Sequence, residues 1–358
     1  VTTIEQAAVR IGLSAIRRAL VGVAVLDQFQ SSRTEVFDPT LLWEHSFSVA
    51  MIAASLARAS RVCDLEDAYV SGLLHDTGKL VMLELLGDSY IDALVSSRRL
   101  DERAESIERK VFEMDHADAA GLLLENWGLA ESTTRPIACH HLSAENLKHL
   151  EPGMVGQVSL LKSADAIAHI TLLGDSGSDW IDDPPLEAIG KPIPPPVLRQ
   201  AIESCIDQLS DIRMTIASIS GIAPPTAYRD TVRASLKKPV QPVFVSTRED
   251  FDPIGVLFEQ IKDDAAQPNI IVLHCAAVAG LPKALERLKQ QEEHLGCSGL
   301  PILLILGRTV ELTDKALPAD RVFHKIKLPS RVTHIMRAIN EALDGSKSAS
   351  ADGTRAAA

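Results

Sequence analysis

Apolar residues along the first half of the chain recur every three to four positions, and start and stop residues divide them into helices. Thr2-Thr3-Ile4-Glu5 reads as a capping box, Gly12 closes that helix, and Ser14 opens another. Asp38-Pro39 places a cap and a first-turn proline before a helix running through Leu56. Asp64 opens the next, which carries Leu73 to Leu86 and stops at Gly87. Asp115 caps a helix ending at Trp127-Gly128, and one from Met154 to His169 closes the set.

Between Gly174 and Pro196 the composition turns to Gly, Ser, Asp and Pro, the chemistry of a surface loop or linker. A helix over 197–219 follows, packing back on the helical region or bridging to the next, before a joint at Pro224-Pro225. Residues 1–222 are thus read as one helical domain with a loop at 174–196, and 223–239 as a linker. From Val240 the period changes. Short β-branched runs at Val243-Phe244-Val245, Ile270 to Leu273, Ile302 to Leu306 and Arg321 to Ile326 alternate with helical stretches. That alternation predicts a parallel sheet built from βα units over 240–344. The small polar tail, 345–358, is expected to be disordered.

Composition supports a mainly helical chain. At 358 residues there is room for two cores, and 46% hydrophobic with only 4% aromatic residues means packing by Ala, Leu, Ile and Val. A net charge of -12 without a Lys/Arg-rich run argues against direct nucleic-acid binding. No apolar run approaches the ~20 residues that span a bilayer, so a soluble, cytoplasmic protein without membrane contact is expected. Cys63, Cys139, Cys205, Cys275 and Cys297 are scattered without a CxxC pair and read as reduced thiols.

Two apolar stripes each carry a polar anomaly. His45 shares a helical face with Leu41, Val49, Ile52 and Leu56, and Asp165 shares one with Val158, Leu161 and Ala168. A buried carboxylate needs a cation or strong donors, so the two anomalies point to a common partner. Further candidates are His75-Asp76, His116 at a helix start, and adjacent His140-His141. Together they suit one or two divalent ions, Mn, Fe, Ni or Zn, with one aspartate able to bridge both. The alternative makes His75-Asp76 a local hydrogen-bonded pair and His140-His141 a helix end. A first-turn position would keep His116 neutral. Lys79, four residues after His75, is placed to steady a phosphate oxygen, or is a solvated helix lysine.

The order His45, His75-Asp76, His116, His140-His141, Asp165 resembles the HD superfamily of metal-dependent phosphohydrolases. Trp43-Glu44-His45-Ser46, Gly72-Leu73-Leu74-His75-Asp76, Glu113 to Gly121 and Glu125-Asn126-Trp127-Gly128-Leu129 resemble one branch, the HDOD domain, an HD-related output domain of bacterial signalling proteins. The resemblance implies an HD-type helical fold and a regulatory role through signalling-protein partners. It also implies that His45, His75, Asp76 and Asp165 hold one metal, and Asp76, His116, His140 and His141 a second. Asp76 and Lys79 would be the catalytic pair if the domain works as a phosphohydrolase on a nucleotide or other phosphoester. The family has further helices ahead of the stretch resembling Ile4 to Ala7, so the sequence begins late in the pattern. Leu142-Ser143-Ala144-Glu145 follows the histidine pair in place of the Gly-Tyr-Pro of relatives that cleave cyclic-di-GMP, which argues against that reaction.

Ile270 to Leu273, Pro301 to Ile305 and Lys325 to Ser330 resemble the third, fourth and fifth strands of a response-regulator receiver. His274 and Leu306 stand where that family has its phospho-accepting aspartate and its Ser/Thr, and Lys325 matches its lysine. The stretch before Ile270 is too short for the usual leading units. An incomplete, flavodoxin-like receiver used for protein contacts is expected, without the Mg²⁺ site or the acyl phosphate.

Overall fold

The computed structural model describes residues 37–220, 226–296, 299–319 and 321–345. The capping box at 2–5, the joint at 12–14, Pro224-Pro225, Cys297 and the tail after 345 lie outside them. The chain divides into two compact units, the first comprising 1–178 and 184–228, the second 179–183 and 229–358.

Among its described residues the first unit is built from helices and loops. Its helices are α1 (Pro39–Ser60), α2 (Leu65–Leu74), α3 (Thr77–Leu86), α4 (Asp88–Leu100), α5 (Ala104–Phe112), α6 (His116–Asn126), α7 (Glu131–Cys139), α8 (Ala144–Leu147), α9 (Pro152–Ile170) and α10 (Pro195–Ser220). The Asp38 carboxylate accepts from Thr40 N at 2.9 Å, and Pro39 fills the first turn, where no N–H is needed. Val49, Ile52, Ala53 and Leu56 of α1 are fully buried, and α1 packs on α2, α9 and α10. Each buried Val, Leu or Ile side chain contributes roughly 1.5–3 kcal/mol, so this helix anchors the core.

The single helix expected from Asp64 to Leu86 is two. It breaks at His75-Asp76, where Asp76 takes φ -102 and ψ 6, outside the helical region. Propensity alone runs through this point; tertiary packing overrides it. Gly78, two residues on, lies so close to α6 that a Cβ would sit 1.8 Å from the His116 carbonyl oxygen. The break turns the chain so that α3 can press on α6 there.

The second unit holds a parallel sheet of β2 (Pro242–Ser246), β3 (Ile270–Cys275), β4 (Ile302–Leu306) and β5 (Phe323–Lys327), in that spatial order. Ile271 pairs with Val243 on one side and Ile302 on the other. All of β3 and β4 is buried, which is why these strands read as continuous apolar runs. Helices α11 (Ile254–Ile261), α12 (Leu281–Leu295) and α13 (Val332–Leu343) flank the sheet. Part of the expected 174–196 loop is structured: β1 (Trp180–Ile181) pairs antiparallel with β6 (Ser330–Arg331). Pro195 and Pro196 belong to the first turn of α10, not to a linker.

Val243 and Val245 pack with Leu281, Ala284 and Leu288 of α12. Phe244, on the opposite face by strand alternation, stacks on Phe258 of α11 with ring centroids 5.9 Å apart. Successive helices thus lie on opposite faces while the strands advance in one direction, so the two crossovers have opposite hand. One is left-handed, against the strong right-handed rule for parallel strands.

Candidate metal centre

Five of the nominated residues are buried to within 2% of full burial, His45, His75, Asp76, His116 and His140, while Asp165 is 22% exposed on its side chain. His45 comes from the middle of α1, His75-Asp76 from the break after α2, His116 from the start of α6, His140-His141 from the end of α7, and Asp165 from α9. They converge. Asp165 Oδ1 lies 3.0 Å from His45 Nε2 and 3.7 Å from His75 Nε2. Asp76 Oδ2 lies 3.4 Å from His75 Nε2, and its Oδ1 3.2 Å from His116 Nε2. His116 Nε2 is 2.7 Å from His141 Nε2, and the His140 ring sits 5.3 Å from His75 and 3.8 Å from His141, centroid to centroid.

Three of the imidazoles are fixed from behind. His75 Nδ1 donates to Gly72 O at 2.8 Å, His140 Nδ1 to Ile137 O at 2.6 Å, and His116 Nδ1 to Glu108 Oε2 at 2.6 Å. Each bond sets the tautomer and turns Nε2 inward, the arrangement that metal-ligating histidines adopt. His75 Nε2 and His140 Nε2 are buried yet make no hydrogen bond. Buried nitrogens left without a proton partner beside a carboxylate are what a cation's donor set leaves behind. Asp76, His116, His140 and His141 each bring one donor atom within 4.8 Å of the others, as do His45, His75 and Asp76, and His45, Asp165 and His169. An imidazole and carboxylate set without thiolate suits Mn, Fe, Ni or Zn.

Electrostatics divide the cluster. Burial, then the neighbouring His169, push His45 down to about 4, and burial with His75 and His116 pushes His140 down to about 3. Both therefore favour the neutral form at pH 7. Burial works against ionising Asp76, but the His75 and Lys79 charges hold it well below the usual carboxylate range. Asp165 is held low in the same way, against burial, by His169, His45 and His75. His116 departs from the expectation of a neutral first-turn imidazole. Burial and the Lys79 charge oppose its protonation, but the Glu108 and Asp76 carboxylates together outweigh them and push it up to about 10.

Lys79 also differs from its expected place. His75 and Lys79 do not share a helix, because α2 ends between them and Asp76 caps α3. Lys79 is 3% exposed and donates from Nζ to Asp76 Oδ2 at 2.7 Å. It is not a solvated lysine: its ammonium is bonded to the aspartate common to two of the candidate donor groups.

Sequence reasoning missed two participants. His169 Nε2 lies 3.4 Å from Asp165 Oδ1, one turn along α9; the four-residue spacing was its signal. Glu108, fully buried, also accepts from His116 N at 2.9 Å and from the Tyr90 hydroxyl at 2.8 Å. It falls one helical turn from both Ala104 and Phe112 on α5, the same kind of polar intrusion into an apolar stripe that singled out Asp165.

Residues 1–143 match the model of the HDOD domain, and this part of the chain is an HDOD domain. An HDOD domain protein of unknown function from Geobacter sulfurreducens is 22% identical over 58% of this chain and 72% of its own, with a TM-score of 0.50, and shares the fold. The MmoQ response regulator from Methylococcus capsulatus is 23% identical over 48% of this chain and 59% of its own, with a TM-score of 0.34. No curated protein matches the sequence. Among the described residues no helix is long and apolar enough to cross a membrane.

Proposed function

We propose that the chain is a regulatory signalling protein whose HDOD-type helical unit holds one or two divalent ions and whose α/β unit makes protein contacts. The observation that carries the metal is the inward aim of imidazole Nε2 atoms from separate helices around Asp76, with Nδ1 tied back in three of them. His45, His75, Asp76 and Asp165 would hold one ion, with His169 beside them, and Asp76, His116, His140 and His141 the other. Lys79 positions Asp76.

The sheet order supports a receiver-like reading of the second unit. Flavodoxin-like receivers have strand order 2-1-3-4-5; removing the second strand leaves the linear order found here. It also leaves a crossover of the wrong hand. Lys325, however, is exposed mid-strand opposite Leu304, and Lys327 stands at the strand end opposite Leu306. His274 is fully buried, which argues against its serving as the phosphorylated residue.

A second reading, a metal-dependent phosphohydrolase, is favoured by the completeness of the ligand set and by the partial exposure of Asp165 and His169, which leaves an approach for a nucleotide or other phosphoester. Bound ions would supply Lewis acidity and lower the pKa of water. The chain's own part would be to hold them: Asp76 between the two groups, Lys79 and Glu108 behind. Metal analysis of the purified protein, followed by a phosphoester panel with the parent and Asp76→Asn, separates the readings. Stoichiometric metal without turnover supports the regulator. Turnover lost in Asp76→Asn establishes the enzyme, and absence of metal in protein purified without chelator refutes both assignments of the centre.

A further inference from the structure

The second unit carries a cationic cluster at the C-terminal edge of its parallel sheet, the place where open α/β sheets take their ligands. Arg248 follows the end of β2, His274 lies near the end of β3, and Gly307 and Arg308 follow β4. Into this cluster runs the acidic segment Asp179–Asp183, anchored by β1 and by the Arg331–Asp179 ion pair. Arg308 pairs with Asp182, whose Oδ1 also accepts from Asp183 N at 2.9 Å.

Asp183 sits deepest and fits loosely. Its Oδ1 is 3.3 Å from Arg248 Nη2, and its Oδ2 3.8 Å from His274 Nε2, beyond hydrogen-bond range. Gly307 makes room for it: a Cβ there would lie 3.0 Å from Asp183 Oδ2. Behind, His274 Nδ1 donates to Asp252 Oδ2 at 2.6 Å, and the Ser246 hydroxyl donates to the same oxygen. Two buried donors make no hydrogen bond, His274 Nε2, in a fully buried ring, and Arg248 Nε. Burial opposes a charge on His274, but Asp183 and Asp252 push it up to about 9, so both its nitrogens carry protons at neutral pH. A planar carboxylate with two oxygens leaves these donors over. A tetrahedral dianion, with four oxygens and twice the charge, would not.

We propose that this edge is an oxyanion site for a phosphate-class dianion, inorganic phosphate or the phosphoryl group of a small phosphomonoester, and that Asp182 and Asp183 occupy it as a built-in competitor. The site is independent of the metal centre. Removing the competitor's charge should open it.

The test uses the full chain after chelator treatment, titrated with inorganic phosphate at constant ionic strength. D182N/D183N should bind phosphate about tenfold or more tighter than the parent. Adding R248Q/R308Q to that variant should abolish binding. If D182N/D183N does not fold, D183N alone, which keeps the Arg308–Asp182 pair, carries the same comparison. Equal affinity in the parent and the asparagine variants, or binding that survives R248Q/R308Q, overturns the proposal. Phenyl phosphate assigns the source: binding as tight as inorganic phosphate supports phosphomonoesters, and weaker binding supports free phosphate.

Discussion

Glu108 and His116 meet twice: the carboxylate Oε2 accepts from the ring Nδ1 at 2.6 Å and from the same residue's backbone N at 2.9 Å. One buried side chain therefore sets both the rotamer of the imidazole and the start of the helix that carries it. Replacing an outer carboxylate of this kind typically costs about 10–100-fold in metal affinity. Glu108→Gln should lose metal by that factor in a chelator competition while keeping its helical circular dichroism. Unchanged affinity would mean that His116 ligates nothing.

Asp76 and Lys79 are a buried ion pair, 2.7 Å apart, with side chains 3% and 4% exposed. Removing one partner strands the other's charge, at a cost of ~3–5 kcal/mol. Asp76→Ala should fall in stability by that amount in urea unfolding of metal-free protein. Asp76→Ala/Lys79→Met should recover most of it and still bind no metal. A single variant as stable as the parent would show that the pair is hydrated.

Gly78 has no space for a Cβ, with His116 O 1.8 Å and Ala120 N 2.8 Å from where it would be. Gly78→Ala must separate α3 from α6 at the level of Asp76 and His116. Overpacking of this kind costs ~1–3 kcal/mol or more. Because the separation pulls Asp76 from His116, metal content should fall further than stability does, which paired thermal melts and metal analysis would read.

The second unit should respond to pH on both sides. His274, raised from 6.5 to about 9, stabilises the fold fully below pH 6.5, and that contribution disappears as pH rises through about 9. Asp252 is pulled, against burial, below its ordinary 3.8 by His274 and Ser246; its contribution is present above that value and vanishes as pH falls further. The unit is then most stable between pH 3.8 and 6.5. The alkaline loss is ~3 kcal/mol at most, and His274→Gln should flatten it. A parent protein whose unfolding midpoint is the same at about pH 6 and about pH 9.5 would contradict this assignment.

Much of the centre was legible because burying a charged or imidazole side chain on an apolar stripe requires a reason, and His45 and Asp165 each break such a stripe. The residues were readable one by one; their tautomers and charges were not. His116 illustrates the difference: its helix position argues for neutrality, and a glutamate on another helix reverses that. The break at His75-Asp76 leaves no mark in the sequence because Leu73 to Leu86 is periodic straight through it, and only the closeness of α6 forces the turn. The strands of the second unit were readable from β-branched runs, whereas β1 was not. Two residues in a polar, proline-flanked stretch carry no period, and their pairing depends on a partner some 150 residues later.

That short ladder has a practical meaning for dissecting the protein. Trp180 and Ile181 are carried between two helical segments of the first unit, yet they belong to the second, where they form a separate two-stranded ladder with Ser330 and Arg331. A fragment beginning at Arg229 would lack them, together with the carboxylates that neutralise Arg248, Arg308 and Arg331. Genetic truncation at the unit boundary would therefore yield a frayed half. A supplied peptide spanning 179–183 should restore it in trans.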